Sequence, residues 1–329
     1  MFRFIICFTP VILIFLCFSG ILASPREDPL IEQIVVASTQ QSISEEELIQ
    51  KMLAVDVLYF GEKHDNKRHH EIQKNLLESL IAQGKKPILG FEFFYQHQSS
   101  DLIQFIEAMP SPFHKKQASP EKAEKQLRQQ LGWQNRSDED WHYYFSLIKL
   151  AKQHRLSVFG ADLPKGLVTR ISRGGVETLN PVESRLLNPT GFENENYRQL
   201  MYEKFKDSHC GWSSPELSRK LYQSWIARND AMAQALAAMI TPETGPVVLV
   251  VGGGHIGHNM GVYERVEHLH PGVKQLNFGM IEIFMEPAPL ADYLERPQVE
   301  EITYLPMHEI YWFTQRADYE DPCKKFNMK

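Results

Sequence analysis

The sequence predicts an α/β fold with a mostly parallel sheet that is flanked by helices and carries a helical insertion or lid. Short runs of apolar, mostly β-branched residues alternate along the chain with longer segments of helical periodicity. A run without polar interruption is typical of a strand that is buried on both faces, as in a parallel sheet covered by helices. Because the strands of such a sheet point the same way, the residues that follow them are expected to meet at one edge.

Five apolar runs are predicted to form the strands of this sheet. The clearest, residues 247–251, ends at three glycines that are followed by His255. Glycine at a strand end lets the backbone approach another group closely, because no Cβ stands in the way. The other predicted strands lie at residues 55–60, 88–94, 156–163 and 274–284, and a short further candidate at 302–305 precedes an aromatic tail.

Helix start signals separate these strands. Ser42 or Ser44 can cap a first helix, since each has a glutamate three residues later, and Asn66 can cap the next. Pro215 suits the first position of a long helix that extends to about residue 240. Residues 110–134 are polar and rich in lysine and glutamine, so we interpret them as an excursion over the surface.

The sequence is predicted to consist of a leader, a lead-in, one α/β domain and a C-terminal extension. Residues 1–23 resemble a secretory signal, with one positive charge, an apolar run, and small residues before a cleavage site after Ala23. An uncleaved anchor is the rival, and Cys17 suggests lipid attachment although bulky residues precede it. We expect an exported protein, periplasmic or attached to the membrane by an uncleaved or lipidated N-terminus. The further segments are an N-terminal lead-in (24–41), an α/β domain (42–290) with a helical insertion at about 165–213, and a C-terminal extension (291–329).

The amino-acid composition limits the size of the core and the classes of binding partner that we expect. The 329 residues are 43% hydrophobic, which is enough for a large core. The formal net charge of −6 gives no basic footprint, so we expect no nucleic-acid partner. Outside the leader, Cys210 and Cys323 can form one disulfide in an oxidising compartment or remain two structural thiols.

Polar residues at the strand ends are expected to converge. They are His64, Glu92, Asp162 and His255. A carboxylate on an apolar strand, such as Glu92, must be paired, protonated or bound to a metal. His64, Glu92 and His255 could bind a divalent transition metal, or act without metal as a general acid and base. The glycines at 252–257 match the dinucleotide fingerprint, but they follow the fourth strand rather than the first, which disfavours a nicotinamide site.

Five segments in order resemble the ChaN family of haem-binding uptake proteins, which shares a superfamily with Tiki, TraB and the erythromycin esterases. The segments lie at residues 58–70, 90–93, 160–164, 228–233 and 248–262. The resemblance implies an exported protein of iron uptake that binds haem. The residues it implies for the haem site are His64, Glu92, Asp162, Arg228 and His255, with Arg228 paired to a carboxylate.

The resemblance also implies partners: haem, a second copy of the chain in a homodimer that encloses paired haems, and a membrane-associated uptake system. Haem iron in such proteins is held by tyrosine or histidine. Tyr95, Tyr144, Tyr197 and Tyr202 lie in regions that could face the site, and the sequence does not choose among them. Because Tiki relatives are metal-dependent proteases and erythromycin esterases are hydrolases, the alternative function is a metal-dependent hydrolase or peptidase that uses the two histidines and the glutamate.

Overall fold

The computed structural model describes residues 28–108, 119–208, 210–211, 214–241, 245–320 and 322–325. The signal predicted for residues 1–23 and its Cys17 lie outside these ranges. Within them, no helix combines the length and the apolar character that crossing a membrane requires.

The described residues form one large sheet and one small one. The strands are β1 (Ile34–Val36), β2 (Gln41–Ile43), β3 (Val57–Glu62), β4 (Ile88–Tyr95), β5 (Val158–Asp162), β6 (Val247–Gly252), β7 (Gln275–Glu282), β8 (Gln298–Val299), β9 (Ile302–Thr303) and β10 (Ile310–Thr314). Eight of them make the main sheet in the order β2-β1-β10-β7-β3-β6-β4-β5. The pairs from β10 to β5 are parallel, whereas β1 pairs antiparallel with β2 and β10.

Helices lie on both faces of this sheet. They are α1 (Glu45–Leu53), α2 (Lys67–Ala82), α3 (Ser99–Glu107), α4 (Pro120–Gln130), α5 (Asp138–His154), α6 (Lys165–Gly174), α7 (Pro181–Ser184), α8 (Glu195–Ser208), α9 (Pro215–Ala237), α10 (Val262–Leu269) and α11 (Leu290–Tyr293). On β3, Leu58 and Phe60 pack in the core layer of α1, α2 and α5, while Val57 and Tyr59 pack in the layer of α9 and α10. The predicted α/β fold with a mostly parallel, helix-flanked sheet is confirmed.

The residues that were predicted to begin helices do so in the structure. Ser44, rather than Ser42, caps α1 and forms a capping box with Glu47. Asn66 caps α2, and Pro215 occupies the first turn of α9. The predicted helical insertion contains α6, α7 and α8, of which α6 and α8 pack against α9.

Residues 120–130 of the segment interpreted as a surface excursion lie at the surface, and they form a helix that the sequence did not predict. These form α4, which Ser119 caps and whose Leu127 is buried. The indole N–H of Trp141 on α5 also donates to Glu124, 2.9 Å away. Residues 109–118 lie outside the described ranges.

The segments placed outside the α/β domain contribute to its sheet. Strand β1 comes from the lead-in, and β10 comes from the C-terminal extension and lies between β1 and β7. The boundaries at residues 42 and 290 therefore do not enclose the sheet. The candidate strand at 302–305 is not part of it either, because β9 pairs with β8 in a separate hairpin.

A disulfide joins the helical insertion to the C-terminal extension. Cys210 and Cys323 are bonded, with their Cα atoms 5.7 Å apart. Of the two possibilities left open by the sequence, the bonded pair is therefore the one observed.

Candidate functional site

An arginine from α9 bridges two carboxylates at the carboxyl edge of the sheet. Arg228 Nη2 donates to Glu92 Oε1 at 2.6 Å, and Arg228 Nε donates to Asp162 Oδ2 at 2.8 Å. Glu92, on β4, is only 3% exposed, and Asp162, at the end of β5, is buried too. The expected pairing of Arg228 with a carboxylate is thus present twice over.

The two carboxylates differ in their protonation. Burial acts to raise the pKa of Glu92, but it is outweighed by charged neighbours, among them the permanently charged Arg228, which hold the pKa well below its ordinary value. Burial prevails at Asp162 and raises its pKa to about 6 despite the guanidinium of Arg228. Near neutral pH the cluster therefore carries an ionised Glu92 beside a carboxyl that can still gain a proton in mildly acidic solution.

His255 is buried and held in one tautomer. Its Nδ1 donates to Asn229 Oδ1 at 2.6 Å, and its Nε2 lies 3.5 Å from Glu92 Oε1. Its ring stacks on Trp225 with the centroids 3.7 Å apart. Burial lowers the pKa of His255 to about 4, so the ring is neutral at neutral pH with its lone pair on Nε2.

His64 approaches the same cluster from β3. Its Nδ1 lies 3.1 Å from Glu62 Oε1, and burial, which acts to lower its pKa, is outweighed by Glu62 and Glu92, so the pKa of His64 is raised. A Cβ on Gly252 would come within 2.8 Å of His64 Cε1 and 3.3 Å of Glu92 Oε2. Gly252 also donates its backbone N–H to Glu92 Oε2 at 2.6 Å. The first glycine of the run is therefore required by the close approach of both side chains.

The structure brings all five predicted site residues to this edge, and it adds Glu62. The Glu62 side chain is fully buried and accepts hydrogen bonds from Tyr144 Oη, at 2.5 Å, and from Gln73. Glu62 is the last residue of an otherwise apolar strand, so the reasoning applied to Glu92 could have found it. His69 and His70 are also buried rather than solvated.

The predicted metal ligands do not form a three-ligand site. Among the described residues, no group of three histidine, cysteine, aspartate or glutamate side chains has an arrangement that could hold a metal ion. The reason is that the oxygens of Glu92 are engaged by Arg228 and by the N–H of Gly252, while His64 turns its Nδ1 to Glu62. A guanidinium beside the carboxylate also opposes a second cation there.

A sequence profile described as "Haem-binding uptake, Tiki superfamily, ChaN" matches residues 48–266. The chain belongs to this family. No curated protein sequence matches the chain. The resemblance inferred from the five segments is confirmed, and haem is the ligand that the family description names.

Three solved structures are similar to this chain, and the first of them supports the architecture. "Cofacial heme binding to ChaN of Campylobacter jejuni" has a TM-score of 0.60 and 18% identity, covering 85% of this chain and 95% of that one. An erythromycin esterase mutant, EreC in its open conformation, has a TM-score of 0.48 and 10% identity over 88% of this chain and 99% of that one. A Bacillus cereus protein has a TM-score of 0.42 and 12% identity over 84% and 74%.

A cavity of about 480 Å³ beside the strand-end cluster has walls suited to haem in this ChaN family member. Its lining residues include the large apolar side chains Tyr197, Met201, Phe205, Trp225 and Met307. Lys204 and Asp207 also line the cavity and interact with each other, and Lys204 supplies a positive charge of the kind that pairs with a carboxylate. Apolar walls for a flat ring and a cation for an acidic edge fit the chemistry of haem.

The tyrosines named as candidate ligands differ in their surroundings. Tyr144 donates to Glu62, and burial followed by that carboxylate raises its pKa far above the ordinary value. Tyr197 lines the cavity, but burial raises its pKa, and its hydroxyl accepts the indole N–H of Trp225 at 2.7 Å. Burial also raises the pKa of Tyr95. Burial therefore keeps these three phenols protonated as long as no metal is bound.

Proposed function

We propose that this protein is an exported haem-binding protein that serves haem or iron uptake. The observation that carries the proposal is the family match over residues 48–266, because the family is described by haem binding and uptake. The cavity beside the strand-end cluster supports it, since its apolar walls suit a porphyrin and its Lys204, which lies there with Asp207, suits an acidic edge group.

Export is supported by two independent features. The first 23 residues have the pattern of a secretory signal. The Cys210–Cys323 disulfide is the kind of bond that persists in oxidising compartments. Expression with the leader in a Gram-negative host should therefore give a periplasmic or membrane-attached product, and a cleaved product should begin at Ser24. Recovery of full-length, reduced protein in the cytoplasm would reject the export part of the proposal.

The residues of this chain have two tasks in haem binding. The ion pairs of Arg228 with Glu92 and Asp162 fix the strand ends beneath the cavity. The stack of Trp225 on His255, together with the hydrogen bond from Trp225 to Tyr197, holds one wall in place. Haem, when bound, supplies an iron centre and a strong Soret absorption that reports its surroundings.

Titration of the purified, full-length mature chain with hemin tests haem binding directly. We expect a shifted Soret band that saturates at a defined stoichiometry. A titration identical to that of hemin in buffer would reject the proposed function.

A matched pair of glycine variants tests the location of the ligand. A Cβ on Gly254 would lie 3.2 Å from the indole of Trp225, so Gly254→Leu is expected to obstruct the cavity and to weaken hemin binding at least about tenfold. Gly166 on α6 has nothing within 4 Å of the Cβ position, so Gly166→Leu should bind hemin as the wild type does. Equal affinities in the two variants would place haem elsewhere.

The homodimer and the membrane-associated uptake system belong to the same proposal. Sedimentation of the mature chain with and without hemin measures the first: a dimer in the presence of hemin supports paired haems, and a monomer at all hemin ratios contradicts them. Co-purification from solubilised membranes of the native host measures the second.

A further inference from the structure

Three glycines make room for a buried imidazole at the carboxyl edge of the sheet. The ring belongs to His308, which precedes β10 and is 1% exposed. A Cβ on Gly279 of β7 would overlap this ring, and a Cβ on Gly61 of β3 would lie 3.2 Å from its Cε1. A Cβ on Gly253, after β6, would lie 3.3 Å from its Nε2. Since any side chain at these positions would crowd the ring, the fold reserves this place for His308.

The hydrogen bonds of Asn277 fix the proton of His308 on Nδ1. The amide nitrogen of Asn277 donates to Ile256 O at 2.7 Å and to Asn259 Oδ1 at 2.9 Å, which sets the orientation of the amide. Its Oδ1 therefore accepts from His308 Nδ1, 2.7 Å away, and the lone pair of the neutral ring lies on Nε2. That nitrogen is buried and has no hydrogen-bond partner in the part of the chain that the structure describes. A nitrogen in this state is open to a ligand.

His258 is a second imidazole of the same kind. Its Nδ1 donates to Leu305 O at 2.6 Å, so its lone pair also lies on Nε2. This Nε2 is likewise buried without a partner among the described residues, and His258 is 6% exposed. Burial lowers the pKa of His258 to about 4 and that of His308 to about 3, and His258 is close enough for its charge to lower the pKa of His308 as well. Both rings are therefore neutral at neutral pH.

Met307 connects the two histidines. It precedes His308 in the chain, and its backbone oxygen accepts the N–H of His258 at 2.9 Å. Its Cε lies 3.6 Å from the position of a Cβ on Gly253, the point that lies 3.3 Å from His308 Nε2. The thioether end of Met307 thus borders the space beside the open nitrogen of His308. Met307 and His258 also line the cavity, which gives a small ion a route to the buried ring.

We propose that His258 Nε2, His308 Nε2 and the thioether of Met307 form a binding site for Cu(I). Two neutral imidazoles and a thioether are uncharged ligands of the kind that favours this soft ion. The positive charge of Lys204 acts on both histidines, and it opposes a divalent ion more strongly than a monovalent one. The site contains no carboxylate or thiolate that would compensate the second charge of a zinc or ferrous ion. The proposal does not rest on haem binding.

A competition titration of the hemin-free mature chain tests the site. Ascorbate keeps copper as Cu(I) and leaves the disulfide intact, and bicinchoninate serves as the coloured competitor. We expect the protein to withdraw a single equivalent of Cu(I) from bicinchoninate, and X-ray absorption of the complex to show nitrogen ligands with one sulfur ligand. Retention of all the copper by bicinchoninate would overturn the proposal, whatever the hemin titration shows.

The variant Met307→Leu removes the thioether and nearly preserves the volume, an exchange that proteins tolerate well. We expect its affinity for Cu(I) to fall at least about tenfold and the sulfur signal to disappear. Met285 is exposed, so Met285→Leu is the matched control and should bind Cu(I) as the wild type does. A sulfur signal that persists in Met307→Leu would remove this residue from the site.

The variant His258→Gly removes one imidazole. Glycine adopts the φ of 63° found at this position without strain, so the variant is expected to fold, which circular dichroism checks. We expect it to lose one nitrogen ligand and to bind Cu(I) at least about tenfold more weakly. Wild-type affinity in both His258→Gly and Met307→Leu would place the copper elsewhere on the chain and reject the assignment. Tighter binding of Zn(II) than of Cu(I) at the same ligands would reject the choice of metal.

Discussion

Arg228 forms ion pairs with two buried carboxylates. Its contribution to the stability of the fold is clearest from the charges that its removal would leave unpaired. Glu92 and Asp162, both buried, would then face each other with no cation between them. Losing one partner of a buried ion pair costs far more than the pair contributes, because a desolvated charge remains.

We therefore expect Arg228→Met to lower the free energy of unfolding by about 3–5 kcal/mol. Urea denaturation at pH 7.5, followed by circular dichroism, measures the loss. Arg219, whose ion pair with Glu177 is exposed, provides the comparison: Arg219→Met should cost at most about 1 kcal/mol. Similar losses in the two variants would show that the Arg228 cluster is hydrated or already protonated.

Buried histidines make the stability depend on pH, and His69 is the clearest case. Burial lowers its pKa to about 3, and its Nδ1 accepts the backbone N–H of Lys63 at 2.9 Å. Because the unfolded chain protonates this histidine near pH 6.5, the unfolded state binds one more proton between pH 6.5 and pH 3. The contribution of the neutral ring to the free energy of unfolding is therefore fully present above pH 6.5 and is lost as the pH falls toward 3.

Replacing His69 by glutamine removes that proton uptake. The slope of unfolding free energy against pH, measured from urea titrations between pH 4.5 and 6, should decrease by about 1.4 kcal/mol per pH unit. The slope is informative even if the variant is less stable at every pH. An unchanged slope in His69→Gln would mean that His69 is already charged in the folded protein.

At the residue scale, the sequence predicted those site residues whose position was set by a strand end. Glu92, Asp162 and His255 lie where parallel strands stop, so topology alone brings them together. The buried position of His258 carried no such signal, because it depends on a left-handed backbone and on the backbone carbonyl of Leu305, 47 positions away. Contacts of this kind are decided by tertiary packing and leave no local pattern.

At the element scale, the predicted strands and helices agree with the structure where periodicity was strong. Strands β3 to β7 were all anticipated, since each is a run of apolar residues between turn signals. Helix α4 was missed because Leu127 is its one fully buried side chain, so lysine and glutamine conceal its period. The contribution of β10 was missed because its neighbour β7 is a parallel strand, and parallel pairing leaves no hairpin signal.

The disulfide ties α8, a wall of the cavity, to the C-terminal segment. It closes a loop with a sequence separation of 113 residues, and loops of that length lose much conformational entropy when they are cross-linked. We expect the free energy of unfolding of the double variant Cys210→Ser/Cys323→Ser to be about 4–5 kcal/mol lower than that of the oxidised wild type. Urea titrations with and without dithiothreitol provide the measurement.

Reductant supplies the control for this prediction. It should bring the wild type to the stability of the double variant and leave the double variant unaffected. Because α8 carries Met201, Lys204 and Phe205 into the cavity, hemin should also dissociate faster from the reduced protein. Equal stability of oxidised and reduced wild type would contradict the entropic argument.

At the scale of the whole molecule, strands from the lead-in and from the C-terminal extension form one side of the main sheet. Strand β10 pairs with β7 on one side and β1 on the other, and β2 joins the sheet through β1. Four residues of β10 are buried apolar side chains: Ile310, Tyr311, Trp312 and Phe313. The last strand of the described chain is thus internal to the sheet, although its position in the sequence suggested an appendage.

A chain that ends at residue 290, the limit predicted for the α/β domain, should therefore fail to fold cooperatively. It would leave β1 and β2 without their link to the sheet and would expose the edge of β7, which favours aggregation. A chain that ends at Gln315 and carries Cys210→Ser keeps β10 and lacks only the disulfide and the tail, so it should retain a sigmoidal urea transition and a native near-ultraviolet circular dichroism spectrum. If the shorter chain gave the same transition, the sheet would be stable without β10, and the contribution of the C-terminal segment would be limited to its disulfide.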